Sequence, residues 1–459
     1  MSDELELDRR AAKSWLGTSV AVLVVAGLLA LLLVIARMPP FDRLVTDPLF
    51  FRRCLVVHVV LSIVLWFQSF TAALFHLLPA RRKAMALTAL GPWLARAGIV
   101  LLVSGAFLPG TQAVLANYIP VIDHPLFAVG LATFFAGVAA SAASRDLTGG
   151  VARRPFLWAP PGALSALRVA AVGLLLALAT LFGTWRGLPE GLEVTTHYEL
   201  LFWGAGHVLQ LVSVAALIAC WKLMLPVPPD PAGERVERFW LAVLLIPWLA
   251  APVLTFWGAS TSTYHTGFTR LMQFALAPTV LVFLYRGTRA LCSGAGDRAA
   301  RIGFVTSAVL TLIGFGLGAC ISGSTTIVPG HYHANIGAVT TAFMAVAYRM
   351  IRPLGIAEPS AWLARLSAWQ PALYGAGQAV FALGFALAGA HGAARKSYGA
   401  EQIQRGPLES AGLFVMGIGG FVAIAGGVLF LLVLGRALWR RARTVSVQPA
   451  AAAAVALDR

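Results

Sequence analysis

Five histidines set the chemistry available to this sequence: His58, His207, His265, His331 and His333. A neutral imidazole offers one lone pair to a metal, and several on facing elements suit haem iron or copper. His331 and His333 flank a single residue, Tyr332. Two residues along a helix turn the chain by about 200°. The two rings then face different neighbours, with one aromatic ring between them. His76 and His124 read as interfacial, and His197 and His391 lie at the level of the five without further support. The four cysteines, Cys54, Cys220, Cys292 and Cys320, form no CxxC pair and read as small apolar residues.

The elements that must hold these histidines are membrane helices. Hydrophobic residues make up 59% of the 459 positions and charged residues 12%, against about 25% charged in a soluble domain. Apolar runs recur at 15–36, 54–78, 86–108, 125–144, 162–185, 198–221, 239–257, 267–285, 302–321, 332–351, 369–390 and 412–435. Each is long enough for a hydrocarbon layer roughly 30 Å thick. The first reads as a spanning helix and not as a cleavable leader. The division is therefore a tail over 1–14, a twelve-helix domain over 15–435, and a basic, alanine-rich tail over 436–459. The net charge of +16 sits in short clusters such as Arg81-Arg82-Lys83 and Arg440-Arg441. These are topology signals and not a nucleic-acid surface. Lys and Arg concentrate in alternate loops and both tails, which predicts cytoplasmic N- and C-termini. On that topology all five histidines, drawn from four segments, fall in the outer half of the bilayer. Ionisable groups at that depth are functional candidates.

The stretch Val328-Pro329-Gly330-His331-Tyr332-His333-Ala334-Asn335-Ile336-Gly337-Ala338-Val339 resembles the tenth-helix His-aromatic-His motif of haem–copper oxidase catalytic subunits. These include cytochrome c oxidase subunit I and the nitric oxide reductase large subunit. The resemblance implies an all-α, polytopic bundle of twelve transmembrane helices in a prokaryotic-type cytoplasmic membrane. It implies two haems, one low-spin and one high-spin, and one non-haem metal, copper ahead of iron. His333 and His58 would ligate the low-spin haem and His331 the high-spin haem, with Tyr332 between them. His207, in Trp203-Gly204-Ala205-Gly206-His207, resembles the sixth-helix ligand of the non-haem metal. Gly392-Ala393-Ala394-Arg395-Lys396-Ser397-Tyr398 is similar to the family's Gly-x-Pro-Arg-Arg-Tyr stretch. Arg395 and Lys396 would hold haem propionates, the lysine as a point charge and not a fork.

Several positions depart from the family pattern. Most members have a His-His pair where this chain reads Thr263-Tyr264-His265-Thr266. Aligned on Gly267, Phe268 and Thr269, His265 is the second of the pair and Tyr264 replaces the first. The metal then has His207 and His265, with His197, His391, Tyr264 or a hydroxide as a third ligand. The family's sixth-helix tyrosine position holds Leu211, its acidic position Leu209, and the eighth-helix lysine position Val282. Tyr264 either stands in for the missing tyrosine beside the metal or is an interfacial aromatic. The resemblance implies reduction of O2, or alternatively of NO to N2O. Electrons would come from a partner subunit of cytochrome c or CuA type, or from quinol. A twelve-helix secondary transporter is the reading from another class. It shares the helix count but leaves the histidines unexplained and lacks visible paired halves.

Overall fold

Proline and aspartate punctuation fixes most helix starts. Asp47, Asp230 and Asp297 cap their helices by accepting from Leu49, Ala232 and Ala300 backbone N–H groups. Pro48, Pro125, Pro161, Pro231 and Pro407 occupy the first turns, where a missing N–H costs nothing. The computed structural model describes residues 2–45, 47–81, 84–148, 156–228, 230–396 and 406–440. Among them run twelve long helices. They are α1 (Ser2–Ile35), α2 (Pro48–Phe75), α3 (Met85–Ala106), α4 (Pro125–Ala143), α5 (Pro161–Arg186) and α6 (Val194–Met224). They continue as α7 (Pro231–Trp257), α8 (Ser262–Cys292), α9 (Arg298–Ala319), α10 (Ile327–Met350), α11 (Ala361–Ala390) and α12 (Pro407–Trp439).

Eleven of the twelve are long and apolar enough to cross a membrane. The exception is α10, which carries His331, His333, Asn335, Thr340 and Thr341. Its polarity is the cost of the groups it presents to the bundle interior. Helices α2 and α8 each contain a π-helical turn, at Val60–Leu65 and Met272–Leu276. The first begins two residues after His58; such turns cluster at functional sites.

The consecutive pairs α3–α4, α5–α6, α9–α10, α10–α11 and α11–α12 pack against each other, α11 and α12 most closely. Gly384 lies so near the Met416 backbone that any side chain there would overlap it. Small residues permit such backbone approach in lipid, where packing and not water drives association. Between α3 and α4 a short hairpin, β1 (Gln112–Val114) and β2 (Val121–Asp123), pairs antiparallel with Ala113 opposite Ile122. Its connecting loop reaches α6.

Two boundaries differ from the sequence reading. Residues 2–14 extend α1 and do not form a separate tail. His265 lies within the first turns of α8 and not in a connection, because Thr261 caps that helix on the Tyr264 N–H. Ser397, Tyr398, Arg82, Lys83, Arg441 and the tail over 441–459 lie outside the described residues.

Candidate haem site

His58 and His333 line one cavity of about 480 Å³, enclosed by α1, α2, α10, α11 and α12. His58 Nδ1 lies 2.9 Å from the Ala26 carbonyl. A carbonyl only accepts, so Nδ1 carries the proton and Nε2 keeps the lone pair. The His333 ring packs on Phe381 with centroids 4.4 Å apart, and Gln378 lines the same cavity. Apolar side chains such as Leu31, Ile424 and Leu431 make the remaining walls.

Three cations stand on the same cavity: Arg37, Arg395 and Lys396. Arg395 and Lys396 reach it because the chain over 393–395 runs beside the approach to α10. Thr326 N–H donates to the Ala393 carbonyl at 2.9 Å, and Arg395 N–H to the Ser324 carbonyl at 3.2 Å. Lys396 then adopts a left-handed backbone, φ +67°. Arg395 Nη2 donates to Asn117 Oδ1 at 2.7 Å, and Lys396 Nζ lies 3.3 Å from Glu199 Oε1.

The second α10 histidine points elsewhere. His331 Nδ1 lies 2.7 Å from the Gly314 carbonyl of α9. Its ring fits over Gly318, where a methyl group would meet it at 2.8 Å. Asn335, one turn on, donates to the His331 carbonyl at 3.1 Å. The two imidazoles thus face different neighbours across Tyr332, which itself lines the cavity.

His207 is 3% exposed, and both its nitrogens have partners. Nδ1 lies 2.7 Å from the Trp203 carbonyl and Nε2 lies 2.7 Å from the Tyr118 hydroxyl. Tyr118 comes from the hairpin loop, and its ring also lines the haem cavity. Burial, helped by nearby Tyr332, pushes its phenol well above the ordinary range and keeps it protonated. Sequence reading missed Tyr118. The one available signal was Gly206 beside His207, where a methyl group would overlap the Tyr118 ring.

Tyr264 and His265 diverge, as neighbours on a helix must. Tyr264 is fully buried. Its hydroxyl lies 2.9 Å from Thr184 Oγ1 and accepts from the Gly204 N–H at 3.1 Å. The His265 ring packs on Trp203, centroids 4.5 Å apart. His391 is exposed with Nδ1 on the Leu387 carbonyl, and His197 stacks edge-on against Tyr198. Tyr264→Phe is expected to cost about 1–2 kcal/mol of stability by stranding the Thr184 and Gly204 partners. Haem spectra and turnover should stay unchanged. Lost O2 turnover with intact spectra would give this hydroxyl a catalytic role.

Two histidines line one cavity with cations at its margin, within a bundle of apolar helices of membrane-spanning length. The family model for cytochrome c and quinol oxidase polypeptide I matches residues 10–423. This chain belongs to that family, and is an oxidoreductase of terminal-oxidase type in the haem–copper oxidase superfamily. It is 28% identical to an uncharacterized protein of Aquifex aeolicus (strain VF5), over 75% of this chain and 85% of that one. It is 24% identical to an uncharacterized protein of Rickettsia prowazekii (strain Madrid E), over 93% and 96%. Its fold matches a haem–copper terminal oxidase dimer solved by cryo-electron microscopy. The TM-score is 0.74 and the identity 16%, covering 95% of this chain and 85% of that chain. The transporter reading is set aside.

Membership implies haem and a metal at a binuclear centre. The His58 and His333 surroundings fit haem: two imidazoles on one cavity, apolar walls and cations for carboxylates. The His207 surroundings do not fit a metal. The Nε2 lone pair is engaged by Tyr118, and among the described residues no group of three His, Cys, Asp or Glu could hold a metal ion.

Proposed function

We propose that this chain is the catalytic subunit of a respiratory terminal reductase that reduces O2. His58 and His333 would hold a low-spin haem for electron entry, and His331 a high-spin haem where substrate binds. Haem, when bound, supplies an iron that carries electrons and, if five-coordinate, a position for a diatomic ligand. The chain supplies orientation. Ala26 and Gly314 fix the tautomers of His58 and His331 through their carbonyls, which raises ligand basicity. Arg37, Arg395 and Lys396 would offset propionate charge. The observation that carries the reading is the pair His58 and His333 facing one cavity.

The termini are proposed to lie in the cytoplasm, which puts the hairpin and the haem site towards the outside. Electrons would arrive there from a cytochrome c or CuA-type subunit, or from quinol within the lipid. NO reduction is the second reading. It is favoured by Leu211 in the sixth-helix tyrosine position and by the engagement of the Tyr264 hydroxyl with Thr184. O2 is placed first because a buried phenol, Tyr118, does stand on His207.

The test is a reduced-minus-oxidised spectrum of purified protein, followed by O2 and NO uptake with a reductant. Haem bands with O2 uptake are expected. NO uptake without O2 uptake would establish the second reading, and a featureless spectrum would overturn both.

A further inference from the structure

We propose that His207 and Tyr118 form a metal-free hydrogen-bonded pair, and that this chain carries haem but no non-haem metal. The proposal deepens the functional reading above and rests on it for the presence of haem.

The tautomer decides the argument. The Trp203 carbonyl accepts only, so the proton of neutral His207 resides on Nδ1. Nε2 is then the acceptor, and the Tyr118 O–H donates to it across 2.7 Å. That Nε2 lone pair is the one a metal would take. A protonated phenol pointed at it offers a cation a repulsive dipole in place of a ligand.

The rest of the pocket agrees. A second imidazole, His265, is near, but Trp203 packs against both rings, at 4.5 Å from His265 and 5.1 Å from His207. Of the groups that could complete a ligand set, Tyr264 is committed elsewhere, to Thr184 and Gly204, and His391 stands exposed at the C-terminal end of α11. Two imidazoles, one with its lone pair engaged, fall short of the ligand sets that hold copper or non-haem iron. The backbone is shaped for the tyrosine too. Gly206 leaves room for the Tyr118 ring, which stacks on His207 with centroids 4.3 Å apart.

What the pocket does offer is a donor. Trp203 Nε1 is buried without a hydrogen-bond partner. An unsatisfied N–H suits a developing negative charge on a bound oxygen atom and does not suit a cation. The geometry therefore describes a tyrosine–histidine pair with its proton held between the phenol and Nε2, beside a tryptophan whose indole N–H is buried without a partner.

The experiment is a metal count on the full-length protein, expressed with added copper and haem precursor and purified without chelator. Iron, copper and haem are measured per chain. Iron equal to haem with copper at background is expected, and His207→Ala should leave the metal count unchanged. Copper, or iron in excess of haem, at one per chain in the wild type and lost in His207→Ala would overturn the proposal. Absence of haem would overturn the functional reading instead, with the copper count still judging the pair.

Discussion

Protein with His333 replaced by alanine is expected to lose its six-coordinate haem signal completely while still binding CO. His58→Ala should give the same result, because the two imidazoles face one cavity from α10 and α2. Either change leaves the other imidazole without its histidine partner across the cavity. Phe381, which packs on the His333 ring, offers no ligand atom. His331→Ala should do the reverse, abolishing CO binding and sparing the six-coordinate signal. His331 is oriented from α9 through Gly314 and not from the cavity. The measurement is visible spectroscopy with and without CO on purified, monodisperse protein. Loss of both signals in every variant, with folding intact, would defeat the assignment of separate roles.

Helix number and order were legible because they depend on local signals. Apolar runs set the spans, and Asp-Pro and Pro punctuation set their starts. The His-Tyr-His spacing gave two ring directions from helix geometry alone. What was not legible depends on chain segments meeting across the fold. Tyr118 and His207 are 89 positions apart, and nothing in a loop sequence says that its tyrosine turns inward. Tyr264 looked like a neighbour of the metal site, yet its hydroxyl is drawn towards α5 by Thr184. Glu237 read as part of a connection. It is 3% exposed in α7, held by Lys222 at 2.6 Å and Arg286 at 3.0 Å. Charged residues with partners on other helices are invisible to hydropathy.

The same blindness hid a second buried ion pair, which supports the second large prediction. Arg145 follows α4 and Asp8 lies in the N-terminal part of α1, 137 positions away. The Arg145 side chain is wholly buried, and its Nη1 donates to Asp8 Oδ1 at 2.7 Å. Nε donates to Ser144 Oγ at 2.8 Å, Nη1 lies 3.5 Å from the Leu78 carbonyl, and Nη2 donates to Thr88 Oγ1 at 2.5 Å. One guanidinium thereby joins the ends of α1, α2, α3 and α4. Burial lowers its pKa and Asp8 acts against that. Arg145→Ala leaves Asp8, 14% exposed at its side chain, without its main counter-charge. His76 Nδ1, at 3.4 Å, is a weaker partner. Breaking a buried pair from one side costs about 3–5 kcal/mol. Arg145→Ala is therefore expected to lower the unfolding midpoint sharply in detergent. The double replacement Asp8→Ala, Arg145→Ala should cost less than the two single changes summed, because residues in one network are coupled. Additive losses would mean that Arg145 acts through packing against Leu78 and Thr88 and not through its charge.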